Sequence, residues 1–450
     1  MSTWTGIDRD QPQPLRVVVV GGGAAGTIAA AHLVRAATPA TPVHVTLVER
    51  SGRFGPGLAY DTHHPLHTVN NFAARLSAVP GDPDHLVRWC RDRGEEIGPT
   101  GFVGRGLYGA YLADVLDSAD VPDGSALGRV QGTVTDIDER HTVRLADGQT
   151  LAADQVVLAL GNPPARHQQK YADRAAASGA PYVSDPWAPD LVERARGARR
   201  VLLVGTGLTM VDTVAVLHDA DPSLRFTAVS RNGLLPQAHA PGSLRLHDIF
   251  HPGTTSLSEL LESIEQRTRE LADIGGDWRD VVDSVRAAAN ELWQGFTEEE
   301  QASFVDELAR VWEIARHRMP PLMARHIAHL QSTGVLEVRT REDEPDGPWD
   351  LVVNCSGSTP VPTRGWNPLM DRLLDQGVVR PHRLGLGLDL DPDGHPVGRD
   401  GRADSRLHVL GAARRGLEWE VTAIPDLRMQ AARLADLLVA DVPVGREQQA

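Results

Sequence analysis

The chain has 450 residues, 41% hydrophobic and 23% charged, with a formal net charge of −15 at pH 7. That length exceeds what one hydrophobic core usually organises and predicts two connected domains with an inserted region. The acidic balance argues against nucleic acid or anionic lipid as a partner, since phosphate affinity needs clustered Lys and Arg. Cys90 and Cys355 are the two cysteines and form no C-x-x-C pair, so dithiol redox chemistry is set aside. The polar leader Met1–Pro14 and the lack of a membrane-length apolar run predict a cytoplasmic protein without a membrane partner.

The first informative stretch is Val17-Val18-Val19-Val20, a run suited to a strand buried on both faces, followed at once by Gly21-Gly22-Gly23-Ala24-Ala25-Gly26. In this G-x-G-x-x-G setting Gly21 permits the tight turn, Gly23 lets the backbone approach a pyrophosphate, and Gly26 lets the next helix pack closely on the strand. An alanine-rich helix, Thr27 to Ala37, leads to a second strand, Val43 to Val48, closed by Glu49-Arg50. Glu49 stands where a carboxylate accepts from adenosine ribose hydroxyls. The order strand, loop, helix, strand, acid predicts dinucleotide binding and outweighs a merely structural glycine turn.

The pattern returns at Val201-Leu202-Leu203-Val204, followed by Gly205-Thr206-Gly207-Leu208-Thr209-Met210 and a helix through Leu217. Met210 replaces the third glycine, which affects helix packing more than phosphate contact. The next strand, Leu224 to Val229, ends in Ser230-Arg231 instead of an acid. A guanidinium there pairs with a 2′-phosphate that a carboxylate would repel, so NADPH is the implied ligand; a solvated turn residue is the plainer reading of Arg231. A second internal match aligns Asp154 to Gly161 with Asp350 to Gly357, each a strand running into a tight turn. Cys355 then reads as a buried strand residue.

With both loops placed, the chain resembles the bacterial FAD/NAD(P)-binding flavoproteins related to flavin-containing and N-hydroxylating (class B) monooxygenases. The segments that carry the resemblance are Phe54 to Tyr60, His67 to Ser77, Asp82 to Trp89, Arg105 to Leu112 and Arg415 to Pro425. The resemblance implies FAD on the first loop, with Glu49 and Arg50 at the adenosine end and Gly57 and Tyr60 against the flavin. It also implies Arg105 as a partner of FAD phosphate, Gly161 among the cofactor-contacting glycines, and Thr422 at the flavin-facing start of the last helix. Asn70 reads as a flavin-side donor or, more simply, a turn former. One departure stands out: Gly411-Ala412 follows the strand Leu407 to Leu410 where an aspartate commonly holds the ribityl chain. Backbone groups or Arg414 and Arg415 are candidate substitutes, with surface positions the plainer reading of both arginines.

Between the second nucleotide fold and Asp350 the pattern is helical. Leu257, Leu260, Leu261 and Ile264 share a face behind a capping box of Ser256 and Glu259, and Phe304, Leu308, Val311 and Ala315 repeat it behind Thr297 and Glu300. Such an insertion can serve as a water-excluding lid. Arg316-His317-Arg318 before Pro320 either offsets a helix dipole or faces an anion, and Trp278, Trp293 and Trp312 read as core anchors.

The expected fold is α/β, with two Rossmann-type dinucleotide-binding domains for FAD and NADPH and a helical insertion. Residues 15–197 and 350–440 are expected to form the FAD domain, and 198–349 the NADPH domain with its insertion at about 245–330. The resemblance implies an NADPH-consuming monooxygenase that works through a flavin C4a oxygen adduct on a small polar substrate, with molecular oxygen as co-substrate. A reductase or dehydrogenase serving a non-oxygen acceptor, and a nucleotide-responsive binding protein without turnover, are the alternatives. No metal set and no catalytic side chain is identified, and homo-oligomerisation is left open.

Overall fold

The computed structural model describes residues 12–62, 64–240, 256–345, 347–359, 362 and 364–440. Two five-stranded parallel sheets organise it. The first runs in the order Leu407–Val409, Gln155–Leu158, Leu15–Val20, Val43–Glu49, Ala126–Gln131. The second runs Leu336–Thr340, Arg225–Ser230, Arg200–Val204, Leu351–Asn354, Tyr182–Val183. The valine and leucine runs occupy the central strands, where both faces are covered and an unbroken apolar sequence is required. In each sheet the glycine-loop strand is flanked on both sides, so its loop emerges at the carboxyl edge, where α/β sheets bind ligands.

The helix after the first loop spans Ala24–Ala36, starting three residues earlier than the sequence pattern suggests, because the loop turns straight into it. Its small residues let it lie buried between the sheet and the terminal helix Ile424–Ala440. The second loop is followed by helix Leu208–Ala220, with Met210 fully buried in that domain's core. The two acids singled out by internal comparison do the same work. Asp154 accepts from the Arg16 backbone and guanidinium at 2.7–3.0 Å, and Asp350 accepts from the Arg199 and Arg200 amides at 2.8 Å. Each thus pins the foot of the neighbouring glycine-loop strand.

Strand pairing moves the expected domain boundaries. Leu351–Asn354 hydrogen-bonds to Arg200–Val204 and Tyr182–Val183 to Leu351–Asn354, so both belong to the second sheet. The chain therefore enters the second domain before residue 198 and leaves it after Asn354. The internal match with Asp154 to Gly161 is one of equivalent strands in two sheets, and the sequence alone does not say to which sheet each strand returns.

The insertion contains helices Leu257–Asp273, Trp278–Gly295, Glu298–Ser303 and Ala309–Arg316, with a π-helical turn at Phe304–Leu308. Both capping boxes form, at Ser256 with Glu259 and at Thr297 with Glu300. The next helix, Pro321–Ser332, buries Met323, Ile327 and Leu330 in the second nucleotide core and leads into its edge strand, so the insertion ends before it rather than at 330. The first ten residues or so of the expected insertion, 245–255, lie outside the described residues.

Candidate active site

The first loop is shaped by steric necessity. Gly21 has φ +109°, and a Cβ there would stand 2.2 Å from the Ala159 carbonyl oxygen; a Cβ on Gly26 would stand 1.8 Å from the Gly21 oxygen. Gly205 repeats the first case, with φ +121° and a Cβ position 2.3 Å from the Cys355 oxygen. In both domains the neighbouring strand's carbonyl thus excludes any side chain from the turn, and the loop amides stay open towards a ligand. Neither Gly23 nor Gly207 supplies a side-chain cap to the helix it precedes, which leaves the helix amides for an anion.

Around the first loop, Glu49 Oε2 accepts from the Gly22 amide at 2.8 Å, while Oε1 accepts from the Ser51 amide and hydroxyl. Held from two sides, the carboxylate is fixed at the strand end beside exposed Arg50. The Gly55 amide donates to the Gly22 carbonyl at 2.8 Å, and a Cβ on Gly57, at φ +51°, would stand 2.8 Å from the Gly23 Cα. The segment 55–60 therefore closes against the loop without side chains between them. Tyr60 follows, its ring 4.8 Å from that of Tyr108, and burial pushes its phenol up to about 12. These features fit a bound FAD: backbone donors line a cradle that a single methyl group would fill. Ala24 and Ala25 open the helix from this cradle, and Gly411 lies across from Ala25, 3.8 Å from its Cβ if given one of its own.

Several expected residues are engaged elsewhere. Arg105 does not offer its guanidinium to the first loop: Nη2 pairs with Asp212 Oδ2 at 2.7 Å and Nε donates to the Thr68 carbonyl at 3.2 Å. Asp212 sits on the second-domain helix, so this pair joins the two domains. Burial pushes the Asp212 carboxyl above the usual range although Arg105 pulls the other way, and His67 lies 3.4 Å from the Asp212 carbonyl. Asn70 contributes its carbonyl to His239 Nε2 at 3.0 Å, and Asn71 caps the Phe72 amide, the turn-forming reading. Gly161, at φ +78°, lines a small apolar cleft with Trp366, Met370 and Ala412.

The candidate substitutes for the absent aspartate are also occupied, and neither is a surface residue. Arg414 is buried on Glu418, with its Nη1 on the Val409 carbonyl, and Arg415 pairs with Glu313 at 2.8 Å. The Gly411 amide donates to Gln430 Oε1 at 3.0 Å, so the terminal helix itself fixes that turn.

In the second domain, Thr206 is buried, its hydroxyl 2.9 Å from that of Ser230 and donating to the Leu234 carbonyl at 2.6 Å. Ser230 Oγ also accepts from the Gly233 amide, so it shapes the turn after its strand. Arg231 is exposed and makes no ion pair with the described residues.

Sequence patterns did not reveal the polar unit beneath the insertion. Glu420, buried two residues before exposed Thr422, donates its backbone N–H to the Asn290 side-chain oxygen at 2.7 Å and accepts from the Asn290 side-chain nitrogen at its carbonyl at 3.0 Å. Its carboxylate accepts from Trp312 Nε1 at 3.2 Å and lies 3.3 Å from Arg316 Nη2; burial pushes it upward, but Arg316 and the neighbouring Arg286 outweigh that and hold it below the usual range. Arg286 pairs with Asp426 on the terminal helix at 2.9 Å. Trp293 donates to the Gly416 carbonyl at 3.0 Å and packs on Trp419, as a core anchor does. Arg316 and Arg318 therefore both point to acids, Arg318 Nη1 pairing with Asp283 at 3.0 Å while its Nε bonds the Ala315 carbonyl at the helix end, as the dipole reading expects.

Residues 18–163 match the family model described as FAD-NAD(P)-binding. No protein of curated function shows significant sequence similarity. Among solved structures, L-lysine 6-monooxygenase from Pseudomonas syringae aligns over 95% of this chain and 99% of its own, at 17% identity and a TM-score of 0.59. The ornithine N-hydroxylase of Kutzneria sp. 744, solved with reduced FAD, NADP+ and L-ornithine, aligns over 94% and 99% at 15% identity and a TM-score of 0.53. Bacillithiol disulfide reductase from Bacillus cereus aligns over 95% and 99% at 12% identity and a TM-score of 0.51. The chain thus carries an FAD-NAD(P)-binding domain and has the two-domain fold that these flavoproteins share. Among the described residues, no helix is long and apolar enough to cross a membrane.

Proposed function

We propose that the protein is an FAD-dependent, NADPH-consuming monooxygenase acting on a small polar substrate. The observation that carries this reading is the paired geometry of Gly21 and Gly205, each denied a side chain by the neighbouring strand, with the insertion bonded to Glu420 before the terminal helix. The loop amides and Glu49 would hold the FAD pyrophosphate and adenosine ribose. Gly205 to Gly207 would hold the pyrophosphate of NADPH and Arg231 its 2′-phosphate. FAD held there would supply hydride acceptance from NADPH and, in its reduced form, reactivity towards oxygen. The protein orients both nucleotides, and the Trp293–Trp419 cluster keeps water from the insertion side.

The cysteines favour oxygen over a thiol relay. Cys90 and Cys355 are buried in different cores, and burial pushes the Cys355 thiol up to about 12, so neither offers a thiolate for disulfide exchange. The lysine and ornithine hydroxylases of the same fold direct the substrate screen to small amines. NADPH oxidation with oxygen uptake, stimulated by one such amine and yielding its hydroxylated product, supports the proposal. Turnover with a quinone or dye but no oxygen incorporation into any substrate assigns a reductase.

A further inference from the structure

The insertion helix Ala309–Arg316 touches both nucleotide regions. Its last turns carry Trp312 and Arg316, which hold Glu420 before the terminal helix. Its first turn carries Arg310, which reaches the second glycine loop: Nη2 donates to the Leu234 carbonyl at 3.0 Å and lies 3.4 Å from Thr206 Oγ1, the hydroxyl between the two loop glycines.

Arg310 is half-buried, and desolvation depresses its pKa, yet it forms no ion pair among the described residues. The acid one turn on, Glu313, offsets that desolvation only in part and is itself ion-paired with Arg415. A half-buried guanidinium bonded only to neutral oxygens is incompletely compensated. The adjoining helix Leu208–Ala220 adds a second, independent feature, since its N-terminal amides have no side-chain cap. A cation and a helix N-terminus thus adjoin the same loop, Gly205 to Gly207, the combination that a diphosphate requires. The Leu234 carbonyl does not depend on Arg310, because Thr206 already donates to it.

We propose that Arg310 binds the pyrophosphate of the nicotinamide dinucleotide, reaching it from the insertion rather than from the nucleotide domain. This rests on the reading of Gly205 to Gly207 as the NADPH loop. The insertion is then a clamp on the dinucleotide, and one helix links NADPH occupancy to the wall beside Thr422.

The test titrates the FAD-loaded protein, its Arg310→Gln and Arg310→Lys variants with NADP+ and with 2′-AMP, which keeps the 2′-phosphate but lacks the pyrophosphate. The proposal expects Arg310→Gln to weaken NADP+ by about 10- to 100-fold, the loss of a charge-assisted bond. It expects Arg310→Lys to recover part of that, and 2′-AMP binding to stay within about twofold. Equal weakening of both ligands would make Arg310 a strut of the Thr206–Leu234 turn and overturn the proposal, as would unchanged NADP+ affinity. Failure of the unmodified protein to bind either ligand would instead remove the reading of the loop and this proposal with it.

Discussion

Arg105 and Asp212 form an ion pair at 2.7 Å between the FAD-side helix Arg105–Asp117 and the helix that follows the second glycine loop. Asp212 is 6% exposed, so its charge depends on Arg105 for compensation. Arg105→Ala should destabilise the protein by about 3–5 kcal/mol, the usual cost of leaving a buried charge unpaired. Adding Asp212→Asn should restore a large part of that loss. Urea denaturation of the two single variants and the double variant checks this; equal effects of Arg105→Ala in the presence and absence of Asp212 would show that the pair does not bind the domains.

The two glycine loops should fail separately. Gly21→Ala drives a methyl group into the Ala159 carbonyl, and Gly205→Ala into that of Cys355, each at a positive φ that alone costs on the order of 1–3 kcal/mol. Gly21→Ala should purify without flavin. Gly205→Ala should keep its flavin spectrum and lose NADPH reduction. Flavin extraction and anaerobic titration read the two outcomes.

Exposed Arg231, unpaired among the described residues, should set the choice of dinucleotide. Arg231→Gln should lower the kcat/KM ratio of NADPH to NADH by about 10- to 100-fold through the NADPH value, with NADH little changed. An unchanged ratio would return Arg231 to the status of a turn residue.

Burial holds His32 down to about 4, against about 6.5 in an unfolded chain, with its Nε2 on the Ala78 carbonyl. A depressed imidazole contributes stability that is present above pH 6.5 and lost as the pH falls towards 4. Urea midpoints should therefore fall between pH 7 and pH 5. His32→Gln, which keeps a donor for Ala78, should remove up to about 2 kcal/mol of that fall. A pH dependence identical in the variant would contradict the assignment.

Local pattern made the glycine loops, their strands and the capping boxes legible, because each is governed by neighbours in sequence. The role of Asp154 and Asp350 was visible as a repeat, but the sheet that receives each strand depends on pairing across some 150 residues, and the boundary at 350 was misplaced for that reason. Arg105 illustrates the same limit. Its motif suggested a phosphate partner, and in the structure it pairs with Asp212, whose place on a helix face carries no sequence signal. Arg310 and Glu420 belong to an amphipathic helix and a loop whose charged residues look like any solvated face until the insertion docks.

The most direct measurement reduces the FAD-loaded protein anaerobically with NADPH, mixes it rapidly with oxygen and follows the flavin spectrum with and without a small amine. The account predicts rapid reduction by NADPH, then a transient species spectrally distinct from oxidised and reduced flavin, whose decay is coupled to hydroxylation of the amine. Reoxidation straight to the starting spectrum under both conditions, with no product and NADPH spent only on peroxide, would contradict it.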